Sequence, residues 1–317
     1  MDGVRIQIRD RKTKPALDDE ATDSSRKGRF WRESKVGCLL SMRSETHAED
    51  PCQTIPRVFV DPRRMNEMSR EIKGFSAEAE PADEAETASD VGRKRPDILV
   101  KTVVATREDI HVFGRQLAAA AWQRGFAGAE RKAFVGDGLA ANWTVWQKHF
   151  SHYTPVLDFV HAVMYVYAAA MAGRAFASGW CIYCRWAQAV WSGRVEEVLV
   201  ELHLCQEELG LPTTDDPQHS PRCIVANSLR YLTNQQSRMR YAAYRREGLP
   251  ITSSHIEPTI KQINRRVKGS EKFWNTSGAE ALLQLSADYL SETDPLTPFW
   301  KNRQSNATGQ RHYRAAV

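Results

Sequence analysis

Near the start of the chain Val4, Ile6 and Ile8 alternate with Arg5, Gln7 and Arg9. That period of two predicts a half-buried strand over residues 2–9. Residues 10–29 are polar, mix both charges and hold few large apolar side chains, the composition of a mobile excursion. A second strand is predicted at 35–43, and 44–75 reads as irregular around a short apolar run, Val58-Phe59-Val60. Residues 76–90 hold six acidic residues and no basic one, as a solvated linker or surface insertion would. The β-branched run from Ile98 to Ala105 predicts a third strand. Thr106 then suits an N-cap, with Glu108 and Asp109 in the first turn of a helix that runs to about Arg124 and stops at Gly125. Residues 131–136 predict a short buried strand ending at Asp137-Gly138, Asn142 suits the cap of a short helix bearing Trp143 and Trp146, and 155–160 predict one more strand.

The period changes after His161. Helical spacing recurs over about 162–174, 178–191, 193–209 and 222–246, broken at Gly193, at Gly210-Leu211-Pro212 and at Asp216-Pro217. Two further helices are predicted at 255–268 and 278–291, followed by a polar, frayed tail from Asn302. No fixed-period repeat is present.

Composition narrows the class without naming a function. The 317 residues suit one large domain or two ordinary ones. With 42% hydrophobic and 26% charged residues, a wholly disordered chain, a collagen and a disulfide miniprotein are excluded. Six cysteines without a dense spacing pattern, no leader pattern at the start and no membrane span predict a reduced, cytoplasmic protein; the most apolar stretch, Val156 to Ala172, contains Asp158 and His161. A net charge of +5 permits a nucleic-acid partner. No glycine-rich phosphate loop occurs, so no nucleotide cofactor is expected.

Three acidic residues stand at suggestive places: Asp2 heads the first strand, Asp137 ends a buried strand, and Glu257 lies in the first turn of a basic helix. Carboxylates at neighbouring strand ends, with one from a helix packed on the sheet, suit two hard cations for phosphoryl transfer. Each residue also has an ordinary structural role. Asp-Gly after a strand is commonly a turn, Asp2 stands at a chain end, and Ser254 to Glu257 reads as a capping box.

Taken together, four blocks resemble a family. MDGVRIQIR with the later Trp31 to Gly37 (WRESKVG) resembles the first catalytic block of bacterial insertion-sequence transposases of the ISKra type. AFVGDGLAANWTVWQKHF resembles the second block, with Asp137 in its Gly-Asp-Gly. Asp158 to His161 (DFVH) is similar to the Cys-or-Asp, two residues, His signature of Mutator-like transposases. Thr252 to Trp274 resembles the third block, whose Glu matches Glu257; Pro258 departs from the small polar residue expected there.

The resemblance covers nearly the whole chain, in family order. It implies a DDE transposase performing metal-dependent DNA strand cleavage and transfer on an α/β, RNase H-like mixed sheet interrupted by a large all-helical insertion. The implied arrangement is a first core part at 1–161, with the excursion 10–29 and the acidic insertion 76–90. An all-helical insertion follows at 162–247, then core helices at 248–301 and a flexible tail at 302–317. It also implies Mg²⁺ or Mn²⁺ in a two-metal site on Asp2, Asp137 and Glu257, with Asp158 and His161 auxiliary. The expected partners are double-stranded DNA, at element ends and target, and further copies of the chain; the expected location is the cytoplasm, on the nucleoid when bound.

Between Arg238 and Lys272 lie nine Lys and Arg residues against three Glu. Lys261, Arg265 and Lys268 share one helical face, and with Arg266 and Lys272 they are the candidate phosphate contacts; the alternative is a solvated helix face. Trp143, Trp146, Trp180, Trp186 and Trp191 are expected in the core, Trp274 and Trp300 are open, and Cys181 with Cys184 is expected to be buried rather than a zinc site. His161 suits a strand contact, a carboxylate-orienting role or a core histidine equally.

Only Met1 precedes Asp2, leaving no room for the strand's leading half or for a helix-turn-helix. The alternative reading is therefore a truncated, inactive remnant that at most binds DNA. A host nuclease or resolvase on the same fold is a third.

Overall fold

The computed structural model describes residues 2–8, 31–71, 96–254, 256–268 and 272–306. The predicted excursion 10–29, the acidic stretch 76–90 and most of the predicted tail lie outside the described residues.

The strands are β1 (Asp2–Gln7), β2 (Trp31–Arg43), β3 (Asp97–Thr106), β4 (Ala133–Gly136) and β5 (Thr154–Leu157). The helices, in chain order, are α1 (Pro62–Glu71), α2 (Ile110–Gln123), α3 (Ala140–His149), α4 (Phe159–Met171), α5 (Phe176–Trp191) and α6 (Val195–Leu209). They continue as α7 (Pro221–Gln235), α8 (Tyr241–Arg246), α9 (Glu257–Val267), α10 (Thr276–Leu290) and α11 (Leu296–Ser305). The protein is thus mixed α/β. Its described strands form two separate sheets, β1-β2-β3 and β4-β5, where one mixed sheet was expected. The chain divides into two compact units: Met1–Met42, Ile98–Ala127 and His255–Val317 in the first, and Arg43–Asp97 and Gly128–Ser254 in the second.

In the first unit β1 pairs antiparallel with β2, from Asp2 opposite Val36 to Gln7 opposite Trp31. The alternation read from sequence sets the inner face: Ile6, Ile8, Val36, Val103 and Ala105 are buried. Helices α9 and α10 cover that face with Ile260, Ile263, Val267, Ala279, Leu283 and Ala287. Each large aliphatic side chain buried there contributes roughly 1.5–3 kcal/mol. On the other face Phe113 and Leu117 of α2 close on β2 at Gly37, where an added Cβ would stand 3.0 Å from the Phe113 ring. Trp274 ties into the same unit, its backbone N–H donating to the Gln7 carbonyl and its indole to the Val267 carbonyl.

Three local expectations are corrected here. Thr106 ends β3 and donates to Glu280, and Asp109 is the N-cap of α2, accepting from the N–H groups of His111 and Val112. Ser254 does not cap α9: the cap is Ile256 and the helix starts at Glu257. Pro258 then falls in the first turn, where no helical partner awaits its missing N–H. Finally, α11 carries helix through Ser305, past the expected start of the tail at 302.

The second unit is built around α4. Its sequence, FVHAVMYVYAAAM, is apolar all round and eight of its residues are buried, as befits a central helix. No helix among the described residues is long and apolar enough to cross a membrane. Helix α4 packs against α5 and α7, and α6 against α7. Phe159 meets Phe59, Trp191 and Tyr241 edge-on at about 5 Å. Trp143, Trp186 and Trp191 are buried as expected, whereas Cys181 is exposed. The helix predicted over 222–246 is two helices, separated by a 3-10 turn at Gln236–Arg238. Helix α1, inside a stretch read as irregular, starts on Pro62 behind Asp61, which accepts from Arg63 and Arg64 N–H groups and buries Met65.

One buried ion pair anchors the loop before α1. Arg245 on α8 donates from Nε to Asp50 Oδ1 at 2.8 Å, pairs from Nη2 with the second carboxylate oxygen, and lies 3.9 Å over the Trp191 ring. Burial works against the Asp50 charge, but the Arg245 hydrogen bond and charge prevail and hold its carboxyl below the usual range. Arg245→Met strands that carboxylate. Urea unfolding should show a loss of about 3–5 kcal/mol, of which the paired change Arg245→Met with Asp50→Leu recovers a substantial part.

Candidate functional site

The second unit brings two of the predicted site residues together at one sheet edge. Strands β4 and β5 are parallel, with Gly136 opposite Leu157, so Asp137 and Asp158 follow at the same carboxyl edge. The Asp158 N–H donates to the Gly136 carbonyl at 2.8 Å. Carboxyl edges of parallel strands are where α/β proteins build ligand sites.

Asp137 is half-buried. Its Oδ1 accepts from the Leu139 N–H at 3.0 Å and from Asn142 Nδ2 at 2.7 Å. Asn142 is buried inside α3 and serves this carboxylate; the expected capping role falls to Leu139 instead. The second Asp137 oxygen takes no hydrogen bond among the described residues. The backbone at the turn is gripped from α7: Tyr231 Oη donates to the Asp137 carbonyl at 2.7 Å and Gln235 Nε2 to the Gly138 carbonyl at 3.1 Å. Gly138 is required twice over. Its φ is 91°, and an added Cβ would meet the Tyr231 hydroxyl at 2.5 Å. Tyr231 stacks on Tyr165 with centroids 3.7 Å apart. Burial, with Tyr165 and Asp137 nearby, pushes the Tyr231 hydroxyl far above its ordinary range, so it is a fixed neutral donor.

Asp158 does not lie in a strand, as the sequence suggested. It is the N-cap of α4, Oδ1 accepting from the Val160 N–H at 2.9 Å. Its Oδ2 accepts from the Ser253 backbone at 3.2 Å, from the Ser253 hydroxyl, and faces His161 Nδ1 at 3.4 Å. Asp158 is almost wholly buried. Burial opposes its charge, yet His161, Ser253 and the Val160 N–H outweigh it and hold the carboxyl below the ordinary range. An ionised carboxylate only accepts, so the proton of a neutral His161 is favoured on Nδ1, the ring nitrogen that faces Asp158.

The remaining candidates belong to the first unit, together with Asp2. Asp2 opens β1, and its side chain lies outside the described residues. Glu257 is exposed at the first position of α9. Lys261 and Arg265 are exposed along the same helix face, and Lys268 is exposed just beyond it as the C-cap. Arg266 turns over the Tyr289 ring at 5.1 Å, and Lys272 closes the helix end by donating to the Arg265 and Arg266 carbonyls. Sequence reasoning missed Tyr231, Gln235, Asn142 and Ser253; only the Asp-Gly pair hinted that something approaches the turn closely.

Carboxylate oxygens are the donors that Mg²⁺ or Mn²⁺ takes. The open Asp137 oxygen and the exposed Glu257 suit such an ion as single donors, while among the described residues no three His, Cys, Asp or Glu side chains group together. No family profile, curated protein or solved structure matches the chain.

The Asp158 network has a testable pH signature. A carboxyl held low in the folded state stabilises above its unfolded pKa, and that stability is lost as pH falls through the folded value. Asp158→Asn should cost about 3–5 kcal/mol at neutral pH. In denaturant titrations the gap between wild type and variant should close only at a pH below the normal carboxylate range. A gap unchanged down to that acidity would show that the carboxylate charge is not what the network uses.

Proposed function

We propose that the chain is a DNA strand-transfer enzyme of the DDE class, acting in insertion-sequence transposition, with a core of the RNase H type interrupted by the helical block. One observation supports this above the others. Asp137 ends a parallel strand with one carboxylate oxygen uncommitted, and the neighbouring strand ends in the Asp158–His161 pair, the order that the resembling blocks imply. The charged face of α9 supports it further, with Glu257 followed by Lys261, Arg265 and Lys268.

In this reading duplex DNA is the substrate and a second copy of the chain is a partner. A divalent cation on the open Asp137 oxygen would supply charge neutralisation at the scissile phosphodiester. Lys261, Arg265 and Lys268 hold the strand through its phosphates. Tyr231, Gln235 and Asn142 keep Asp137 in place while charge develops. His161, facing Asp158, stands beside this edge as an auxiliary residue. Water cleaves the phosphodiester to leave a 3′-hydroxyl, which then attacks a second phosphodiester in line.

The test uses the full chain with Mg²⁺ or Mn²⁺ and a supercoiled plasmid carrying the genomic DNA that flanks the coding sequence. Asp137→Asn preserves the Oδ1 acceptor and hence the turn. It should reduce nicking by roughly 100-fold or more while gel-shift affinity stays unchanged. Nicking by this variant at the wild-type rate would overturn the assignment, and so would a wild-type chain that binds the DNA but never cuts it.

A further inference from the structure

We infer that the first unit has a binding platform for unpaired nucleic-acid bases, built from Tyr289 and Arg266 and fed by the cations of α9. This goes beyond strand transfer, because it concerns base faces rather than phosphates, and it stands without the metal chemistry.

Three observations carry it. First, Tyr289 on α10 is 65% exposed, although an aromatic ring of that size normally buries most of its surface. Leu285, one turn earlier on α10, is 51% exposed and extends the apolar strip. Second, the ring is not bare. The Arg266 guanidinium lies 5.1 Å from its centroid, and Arg266 is itself tied to the Gln262 carbonyl at 2.8 Å. The cation lies over one face of the ring and holds it in place, so that the opposite face is the one a base would stack on. Third, the α9 side of the ring is positive, although Asp288 stands beside Tyr289 on α10. From Pro258 to Lys268 there is no acidic residue, and Lys261, Arg265, Arg266 and Lys268 form no ion pair among the described residues. Lys268 lies 5.7 Å over the Trp31 ring, so cations of this helix meet aromatic rings on two neighbouring elements.

Basic residues interleaved with exposed rings fit a single strand better than a duplex. The duplex keeps its base faces stacked and offers phosphates alone, whereas an unpaired strand offers both. An acidic peptide would match the charge and leave Tyr289 without a flat partner.

The experiment measures fluorescence polarisation of a labelled oligothymidylate of about 20 nucleotides, and of a duplex of equal length, with the full chain in EDTA. EDTA removes any cleavage, so failure here is separable from failure of the strand-transfer reading. Tyr289→Ala should weaken single-strand binding roughly tenfold and leave duplex binding within about twofold, while Tyr289→Phe retains both. Arg266→Met should show the same selectivity, which keeps the test open should one variant fold poorly. Lys261→Gln with Arg265→Gln should weaken both ligands and flatten the salt dependence. The inference is overturned if Tyr289→Ala binds the single strand like wild type, or loses both ligands equally. It is also overturned if an acidic peptide displaces the oligothymidylate with Tyr289 making no difference.

Discussion

Two four-residue parallel strands cannot hold themselves together, and the second unit depends on how that problem is solved. Beyond their few mutual bonds, the carbonyl groups of β4 and β5 and of the residues after them need donors. The helical block supplies them with side chains. Tyr231 serves Asp137, Gln235 serves Gly138, Tyr241 serves Leu157 and Tyr244 serves Pro155. Tyr241 and Tyr244 are buried to within 1%, so a lost partner would strand a hydroxyl as well as a carbonyl, at about 1–3 kcal/mol for each group. The strands and the helices after them are therefore one cooperative structure, and the helical block is a structural requirement of the Asp137 turn.

The same accounting explains the polar atoms beside that turn. Helix α4 is buried on all sides, so its first N–H groups must be met by protein rather than water. Asp158 meets one of them, and its own remaining oxygen must then be satisfied within the core. Ser253 does this with its N–H and its hydroxyl, which fixes where the segment after α8 runs: the Phe159 N–H donates to the Ile251 carbonyl a few residues away. Around this edge nearly every polar atom is committed to holding something else. Among the described residues the uncommitted Asp137 oxygen is therefore the chemically available group, and His161 stands in the first turn of the helix that follows the neighbouring strand.

What the sequence could and could not reveal follows from the range of each interaction. The period of two in β1 and the helical spacing of α5, α6 and α7 are local, and both are realised with Ile6, Ile8, Trp186 and Leu202 inside. The cap of α2 was expected at Thr106, with Asp109 in the first turn, and it falls at Asp109. Thr106 and Asp109 have equal chemistry for the role, and the outcome turns on Glu280, 174 residues away, claiming the Thr106 hydroxyl. Asp158 sat in an apolar run that suits a strand or a buried helix, and its capping bond decides between them. Pro62 disguised α1, although proline at the first helical position is favourable. Asp137 was legible because Asp-Gly after a strand forces a turn. Its clamps were not, since Tyr231 and Gln235 lie 94 and 97 residues further on. Strand pairing is non-local in the same way, so the division into two sheets left no mark on any window of sequence.

On α9 the buried positions Thr259, Ile260, Ile263 and Val267 fix the rotation of the helix, so Glu257, Lys261, Arg265 and Lys268 face outward of necessity. Part of that charge order is locally favourable: an acid at the first turn and cations at the last both complement the helix dipole. Glu257 and Lys261 also carry opposite charges one turn apart, a favourable spacing. Lys261 and Arg265 do not, and like charges at that spacing destabilise a helix by about 0.2–0.5 kcal/mol. A face selected for solubility alone would alternate its signs there. Instead the repulsion is tolerated, with the four buried side chains beneath it holding the helix in place. The proposed function would offset that repulsion, since a phosphodiester strand laid along the helix presents anions at a regular spacing.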